Sequence, residues 1–567
     1  MKNYSITGLL VAIGCLASCA TPFGEAPGPD GGPGQTNGDI GSDGGVVKLD
    51  GGVVDPGPTF SFADQNPIYV QQGQTTNVPI TITRSITPGT DIKIDITSVP
   101  DGVTVDPLTL TIPTGLSTGQ LAITVDKSIA QGALSNVVVL QGTAAGASAK
   151  IATNLQLFVI SGKPGTLDTD FAHSGIYEHP LDYNHIYAAT PQSDGKILIY
   201  AANTYQATDQ STRTSAVIRL KADGSVDSTL ADPTIQKISG SLWGMTADAD
   251  GRIITSMGIW AGDQGGTAIN RYNANGTLDP TFNTIRAVNT FSSHPIPDGW
   301  SAFYSYAIAV GQNDSIYSGG IAIASPSDPY ALLQIPVNGQ PADGQSMLGC
   351  SGSWNDANFF EQAITNLSLL PDGTLAFAGF GKTPNGDIGV GVGRYTQPPS
   401  SCDLDPNYGI NGTWYSTDWT NLYDAFFETD GSVDLLVGKS DTSANSLVHI
   451  EPDGQQTVKV DLPLDGGSSG ITRAPDGRYL VAGAQSSQDG LLMAVAYYNS
   501  DWTPDMSIGN QGIVTIPVPT ALTSPTGTGL RAVYTPDGSR TVVVGSISGA
   551  NAAGDAVEHL VVARIWN

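Results

Sequence analysis

Residues 250–282 read DGRIITSMGIWAGDQGGTAINRYNANGTLDPTF. Two short turns stand out in this stretch, Asp250-Gly251 and Asn275-Gly276, and each lies between runs of strand-like residues. Asp-Gly and Asn-Gly in this setting are strong β-hairpin signals, because glycine accepts the positive φ that tight hairpin turns require. The stretch therefore predicts two successive hairpins, or four antiparallel strands, which is the content of one β-propeller blade.

The first hairpin recurs along the chain. An Asp-Gly turn or a close variant, followed by an apolar strand, begins at residues 194, 250, 313, 372, 430, 476 and 537. The second hairpin follows at 218–227 and 270–282, and degenerate copies lie at 334–335, 394–395, 449–450 and 497–498. Seven copies of a four-strand repeat predict a seven-bladed β-propeller over residues 163–567.

The two ends of this array complement each other. The chain stops at residues 563–567, within the second hairpin of the last copy, and the missing half lies at residues 165–171. The first strand is therefore expected to complete the last blade. A propeller closed by its N- and C-terminal strands has no exposed sheet edge between its first and last blades.

The repeats resemble the delta-60 repeat family of bacterial exported proteins. The family pairs an Asp-Gly-Lys-type hairpin with an Arg-Tyr-Asn-x-Asn-Gly-x-Leu-Asp-x-x-Phe stretch, which is clearest here at 271–282. The resemblance covers residues 163–567, although copies five to seven depart from it in their second half. It implies a propeller-like fold and no established reaction.

Residues 59–160 have a different pattern. Apolar and polar residues alternate at 77–83, 92–96, 108–112 and 121–125. Period-two alternation is typical of half-buried strands, and several such strands within about 100 residues predict an antiparallel sandwich. The stretch resembles the Ig-like domains of bacterial surface proteins. The predicted fold is therefore all-β, with an N-terminal Ig-like β-sandwich followed by the propeller, and a spacer role is expected for the sandwich.

The N-terminus resembles a bacterial lipoprotein signal peptide. A short basic start and an apolar run end in Leu16-Ala17-Ser18-Cys19. The resemblance implies removal of residues 1–18, lipidation of Cys19 and a position at the outer membrane or cell surface. Cys15 is a poorer site because Ala12 stands where leucine is usual, and an ordinary cleaved signal is the alternative. Residues 19–58, rich in Gly, Pro and Asp, are expected to form a disordered tether.

Net charge and the positions of the cysteines limit the classes of partner and the compartment that the sequence allows. The formal net charge is −28, which argues against nucleic acid as a partner because phosphate binding requires clustered Lys and Arg. Cys350 and Cys402 are the cysteines of the repeat region. They are expected to form a disulfide in an oxidising compartment, and two separate thiols are the alternative.

One aligned position suggests a ligand-binding surface. Seven residues before each turn, four of the seven copies carry an aromatic residue: Tyr187, Trp243, Tyr306 and Tyr423. This position should lie at the start of the innermost strand, near the mouth of the central channel. Exposed aromatics there could stack on sugar rings or grip a peptide, whereas the alternative is packing between blades.

Charged motifs allow further interpretations. Arginines recur beside aspartates at four places: Arg219, Arg271, Arg394 and Arg564. One interpretation is a cationic ring that captures an anion, and the other, which we favour, is an ion pair across each outer hairpin. His173, His179 and His185 lack zinc-site spacing, and no metal, cofactor or catalytic residue is predicted. The expected function is binding of a glycan or surface-protein ligand by a lipid-anchored protein. The alternatives are a structural envelope protein and a polysaccharide-active enzyme using Asp298, Asp356 or Asp424.

Overall fold

The computed structural model describes most of the chain from residue 60 onward. The described ranges are 60–63, 68–85, 90–145, 150–179, 185–192, 194–203, 214–230, 238–239, 242–261, 264–282, 284–287, 300–311, 314–324, 329–335, 349–352, 361–382, 388–396, 402–439, 445–474, 477–488, 490–517, 522–535, 537–551, 554 and 556–567. Within these ranges the secondary structure is β-strand without α-helix, and the protein is all-β. The chain divides into two compact units.

The described part of the first unit lies within residues 60–129 and 134–157 and contains two four-stranded antiparallel sheets. In one sheet the order is β1 (Phe60–Phe62), β3 (Thr75–Arg84), β7 (Thr118–Val125) and β5 (Val103–Asp106). In the other it is β10 (Lys150–Leu155), β9 (Val138–Ala144), β4 (Ile92–Ser98) and β6 (Thr109–Ile112). Strand β2 (Ile68–Gln71) also belongs to this unit, whereas β8 (Gly132–Ala133) and most of β11 (Leu157–Ile160) belong to the second unit.

Side chains from the two sheets meet in the core of the first unit. Along β9 the residues alternate between buried and half-buried, as expected for a sheet with one face covered. A Cβ atom on Gly142 of β9 would lie 2.6 Å from the ring of Phe60, which belongs to the opposite sheet. Glycine at this position therefore leaves the space that the aromatic ring occupies.

The second unit, which includes residues 158–567, consists of four-stranded antiparallel meanders that follow one another along the chain. The first five are separate sheets. They are S1 (β13 His185–Pro191, β14 Ile197–Asn203, β15 Thr214–Leu220, β16 Ile238–Ser239), S2 (β17 Leu242–Ala247, β18 Ile253–Ala261, β19 Gln264–Tyr272, β20 Ile285–Ala287), S3 (β21 Trp300–Val310, β22 Ile316–Ala324, β23 Tyr330–Ile335, β24 Gly349–Gly352), S4 (β25 Glu361–Leu369, β26 Leu375–Lys382, β27 Ile388–Tyr395, β28 Thr413–Ser416) and S5 (β29 Asn421–Phe427, β30 Val433–Gly438, β31 Asn445–Ile450, β32 Gln456–Asp461).

The last two meanders share an eight-stranded sheet. The first half, S6, contains β33 (Ser468–Arg473), β34 (Tyr479–Ser487), β35 (Gly490–Tyr498) and β36 (Ile513–Thr515). The second half, S7, contains β37 (Thr523–Tyr534), β38 (Arg540–Ala550), β39 (Ala556–Trp566) and β12 (Ile176–Glu178). A parallel bridge between Leu491 and Thr526 links the halves.

The two ends of the second unit meet in S7. Strand β12 pairs with β39 in antiparallel register, with Ile176 opposite Ala563. Just before β12, the N–H of Asp168 donates to the carbonyl of Arg564 over 2.8 Å. The N-terminal segment therefore supplies the outer strand of the C-terminal meander.

The core lies between neighbouring meanders. The first strand of each meander packs against the first strand of the next, and β37 of S7 packs against β13 of S1. One apolar cluster joins Ile186 and Ile199 of S1 to Val544 and Val562 of S7. Similar clusters join S1 to S2, S2 to S3, and so on to S7. Burial of both faces of each sheet therefore depends on its neighbours.

The hairpin turns explain why the Asp-Gly motif recurs. Gly195, Gly373 and Gly538 follow the turn aspartates with φ of 80°, 85° and 68°. In S3 the turn reads Asn313-Asp314, and Asp314 itself takes a φ of 60°, a conformation that Asp tolerates better than most residues. In S4 Asp372 Oδ1 accepts the N–H of Thr374 over 2.9 Å, which fixes the turn locally.

A disulfide joins Cys350 in β24 to Cys402, with 5.3 Å between the Cα atoms. Cys402 lies in the segment that precedes β28, so the bond connects S3 to S4. Replacing both cysteines with Ser is expected to lower the free energy of unfolding by about 2–4 kcal/mol, because the bond closes a long loop in the unfolded chain. Urea unfolding of the variant and of the oxidised protein measures this difference. Equal midpoints would show that the bond contributes nothing to stability.

Candidate functional site

The innermost strands share one irregularity. In each of the seven first strands the pairing register skips one residue at the same distance before the hairpin turn, which is a β-bulge, and β21 and β37 have a further register shift near their start. Only the shared bulge is considered below. The skipped residues are Tyr187, Trp243, Tyr306, Thr365, Tyr423, Ser469 and Leu530. A bulge leaves its extra residue unpaired and redirects the side chain. The position seven residues before each hairpin turn is therefore the position of a repeated β-bulge. An aromatic side chain occupies it in four of the seven copies.

The aromatic side chains at the bulges differ in accessibility. Tyr306 is 7% exposed and packs with Ile321 and Ala363, which places its ring between S3 and S4. Tyr423 is half-buried, and its ring occupies the space beside Gly438. Tyr187 and Trp243 have described backbones in β13 and β17, but their side chains lie outside the described part of the structure. For Tyr306 the contacts are those of a packing residue, whereas Tyr423 keeps a partly exposed ring.

The residues that directly follow the bulges form a second set of equivalent positions. Four of these positions carry Ala or Gly, and three carry polar residues: Asn366, Asp424 and Arg531. Asp424 is 0% exposed. It accepts hydrogen bonds from Asn366 Nδ2 over 2.9 Å, from the N–H of Ile471 over 2.9 Å, and from the Arg531 guanidinium. Four consecutive first strands, β25, β29, β33 and β37, thus converge on one carboxylate.

Burial and neighbouring charges act in opposite directions on the pKa of Asp424. Burial raises the pKa of Asp424, and the charge of Arg531 and the N–H of Ile471 oppose that shift. The equivalent position of S6 is Gly470, which has no side chain between Arg531 and Asp424. Because Asp424 is inaccessible and already paired, it is not available as an acid or base for a polymer. Asp298 and Asp356, the other carboxylates considered for catalysis, lie outside the described residues.

The recurring arginines form ion pairs within the outer hairpins. The N–O distances are 2.9 Å for Arg219–Asp227, 2.8 Å for Arg271–Asp279, 2.8 Å for Arg564–Asp168 and 3.8 Å for Arg394–Asp405. Several of these side chains also reach the next meander, as when Arg219 Nη1 donates to the carbonyl of Ala274 over 2.6 Å. These arginines therefore connect sheets and do not form an open cationic ring.

The sequence reasoning did not identify Arg531 or the buried pair between Arg478 and Asp505 at 2.9 Å. A usable signal existed for Arg531. Reading one position beyond the aligned aromatics shows Asn366, Asp424 and Arg531 among small residues, and an isolated acid–base pair in such a column indicates a contact.

The described residues include only some of the other sites that the sequence predicts. Cys19 and the rest of the signal and tether lie outside the described residues. The described residues include no cluster of three His, Cys, Asp or Glu side chains arranged to hold a metal ion. They also include no helix that is long and apolar enough to span a membrane.

Comparison with known families agrees with the repeat pattern. The model of the family described as "Domain of unknown function (DUF5122) beta-propeller" matches residues 192–230, 249–282 and 474–507. Each match begins at the first hairpin turn and covers the second and third strands and the outer hairpin turn of one meander, in S1, S2 and S6. The chain is a β-propeller-like repeat protein. No curated protein matches its sequence.

Solved structures give a distant likeness. The sialidase of Trypanosoma rangeli bound to the inhibitor DANA has 11% identity and a TM-score of 0.31, over 61% of this chain and 57% of that chain. Polysaccharide lyase Uly1 has 10% identity and a TM-score of 0.38, over 72% and 93%. Prolyl oligopeptidase B from Galerina marginata has 9% identity and a TM-score of 0.33, over 65% and 48%. The match thus spans little more than half of the sialidase, and these similarities assign no substrate.

Proposed function

We propose that this protein is a lipid-anchored cell-envelope binding protein that presents a seven-bladed propeller to an extracellular polymer or protein ligand. The seven meanders, the packing of β37 against β13 and the apolar cluster between S7 and S1 support a closed propeller with one meander per blade. The two facing sheets of the first unit support an Ig-like sandwich that acts as a spacer.

One observation favours binding over catalysis. On the innermost strands, Asp424 is held by Arg531, Asn366 and the N–H of Ile471, and Arg473 pairs with Glu428 of the S5 turn. A glycosidase needs two accessible carboxylates at a set separation, and this network offers none. The bulges, by contrast, bring a variable side chain to the same place in each blade, which suits recognition.

Binding is tested on a glycan and peptidoglycan array. Trp243→Ala is expected to weaken binding by at least about fivefold, because an aromatic face that stacks on a sugar contributes on the order of 1 kcal/mol or more. Tyr423→Phe keeps the ring and is expected to keep binding. Leu278→Ala changes a side chain that is 47% exposed on an outer hairpin, and it serves as the matched control.

Two outcomes separate the functions. Binding that Trp243→Ala removes and Leu278→Ala retains would support recognition by the bulge residues. An array without bound ligands for the folded wild-type protein would favour a structural envelope role, with the aromatics acting as packing residues between blades.

The anchor is tested through Cys19. Cys19→Ser is expected to move the protein from the detergent phase to the aqueous phase in a detergent partition of expressing cells, because the serine hydroxyl does not replace the sulfur that carries the lipid. Cys15→Ser is the matched control and should leave the protein in the detergent phase. Equal partition of Cys19→Ser and the wild type would refute lipidation at this residue.

A further inference from the structure

A cluster of titratable side chains lies at the junction of S5 and S6. Glu428 follows β29 at the start of the S5 hairpin turn, Asp434 is in β30 and His449 is in β31. Arg473 at the end of β33 and Tyr479 at the start of β34 come from S6. These five residues are called the S5–S6 cluster below. It is separate from the bulge residues and from Asp424.

Glu428 bridges the two meanders. Glu428 is 6% exposed. Its carboxylate forms an ion pair with Arg473 and accepts a hydrogen bond from Tyr479 Oη over 3.2 Å. The Tyr479 ring stacks on Trp502 of S6 with 4.0 Å between centroids, which holds its hydroxyl in place. The contact between S5 and S6 at this end therefore depends on one buried carboxyl group.

The second carboxyl group connects the cluster to solvent. Asp434 is 0% exposed, and its Oδ1 lies 2.6 Å from His449 Nδ1. The hydroxyl of Tyr479, which donates to Glu428, also lowers the pKa of Asp434. The side chain of His449 is 18% exposed, with Nε2 at 3.9 Å from Glu451 at the surface. His449 therefore links the buried Asp434 to the surface.

The charges of the cluster balance only when it holds a proton. Glu428 and Asp434 contribute two negative charges, and Arg473 alone is a permanent cation. With His449 neutral and both acids ionised, the cluster carries an uncompensated negative charge in a desolvated place, which is costly. Other charged groups at this end are Asp430 in the same turn, bonded to Ser432, and Glu451. Arg394 of S4 donates to the carbonyl of Gly431, and Arg478 is paired with Asp505.

The titration behaviour follows from this arrangement. Burial raises the pKa of Glu428 to about 7. Burial also raises the pKa of Asp434, against the effect of His449. The hydrogen bond with Asp434 raises the pKa of His449 above its usual 6.5. Folding therefore favours proton binding by all three groups.

Among the equivalent turn positions, only that of S5 carries an acid that pairs with an arginine of the next meander. The equivalent turn positions of the other meanders hold Gln192, Asp248, Gly311, Leu370, Ala474 and Thr535. The one other acid in this set, Asp248, pairs with Arg252 of its own turn at 2.6 Å. The hairpin turn therefore forms without a glutamate at this position in the other meanders. The S5–S6 junction differs from them because its turn carboxyl group contacts the next meander.

We propose that the S5–S6 junction is a proton-dependent joint, closed when the cluster holds a proton and loosened when the cluster loses it. The sign follows from linkage: a group whose pKa is higher in the folded state stabilises that state at low pH and loses this contribution as pH rises through the folded value. The stabilising contribution is thus complete below the usual glutamate pKa and declines through about pH 7. The inference is independent of the ligand proposed above.

Hydrogen exchange of the full chain, read by mass spectrometry, tests the joint. After correction for the intrinsic exchange rate, peptides covering β29 and β33 should open at least about tenfold more readily at about pH 8 than at about pH 5.5, since one pKa unit corresponds to a factor of ten. In Glu428→Gln, which keeps the size and an acceptor for Tyr479, this difference should fall to less than about threefold. Peptides from S1 and S2 should show no comparable change in either protein.

Asp248→Asn is the matched control, because it removes a carboxylate from the same turn position of S2. It should leave the pH dependence of β29 and β33 as in the wild type. Tyr479→Phe, which keeps the stacked ring and removes the hydrogen bond to Glu428, should move the opening transition to higher pH. It also provides the test if Glu428→Gln does not fold. Equal protection of the wild type at the two pH values, or the same loss of pH dependence in Asp248→Asn, would overturn the proposal.

Discussion

Asp168→Ala is expected to lower the free energy of unfolding by about 3–5 kcal/mol, because it leaves the buried Arg564 without its counter-charge. It also removes one of the two carboxylates that pair with the half-buried Arg540, the other being that of Asp537. Asp168 is 1% exposed. Its Oδ2 accepts from Arg540 Nε over 2.6 Å and from Arg564 Nε over 2.8 Å. These contacts hold the N-terminal segment against β38 and β39, so the variant should also weaken the pairing of β12. Urea unfolding followed by tryptophan fluorescence measures the change.

A neighbouring aspartate provides the control. Asp170 is two residues away and exposed, so Asp170→Ala should change the free energy of unfolding by less than about 0.5 kcal/mol. Hydrogen exchange should report the loss at residues 165–178 before other regions, because this segment is held by the ion pairs. A loss below about 1 kcal/mol in Asp168→Ala would show that Arg540 and Arg564 find other partners and that the closing contact is weak.

Asp424→Ala is expected to cost a similar amount, about 3–5 kcal/mol, because Arg531 would remain charged in a site without water. Arg531 is almost as buried as Asp424, and it also lies 3.5 Å from the carbonyl of Ile471. The substitution also removes the acceptor of Asn366 Nδ2 and of the N–H of Ile471. Three innermost strands would therefore lose their shared contact at once.

A double-mutant cycle distinguishes the pair from its surroundings. Arg531→Met should be as costly as Asp424→Ala, because it leaves the carboxylate unpaired. The double variant Asp424→Ala with Arg531→Met should lose much less than the sum of the two single losses, since neither charge is then left buried and unpaired. If the two single losses simply add in the double variant, the two residues are not coupled as described here.

The sequence predicted the class of fold because the decisive signals are local. The Asp-Gly turns at 194–195 and 372–373 require glycine for positive φ and an aspartate to bond the N–H two residues later, and both requirements act within four residues. Their recurrence predicted an all-β repeat protein, and the described structure and the DUF5122 matches agree with this prediction. The count of seven blades and the Ig-like character of the sandwich stay predictions that the sheet topology supports.

The candidate site was less predictable. Counting back from the turns located the bulge position in every copy, because the distance from turn to bulge is nearly constant along an antiparallel pair. It did not establish whether an aromatic at that position is covered. Tyr306 is buried by Ile321 and Ala363, which are 15 and 57 residues away in the chain. Whether a neighbouring sheet covers a side chain depends on how the meanders pack.

By itself, the sequence of this protein determined where the strands begin and turn, and that they repeat. The tertiary structure alone decided which charges meet: Asp424 with Arg531 across 107 residues, Asp168 with Arg564 across 396, and Glu428 with Arg473 across 45. The physical reason is range. Turn and strand preferences act between neighbours in the chain, whereas a buried ion pair forms only where packing removes water from two side chains at once and places them within hydrogen-bonding distance.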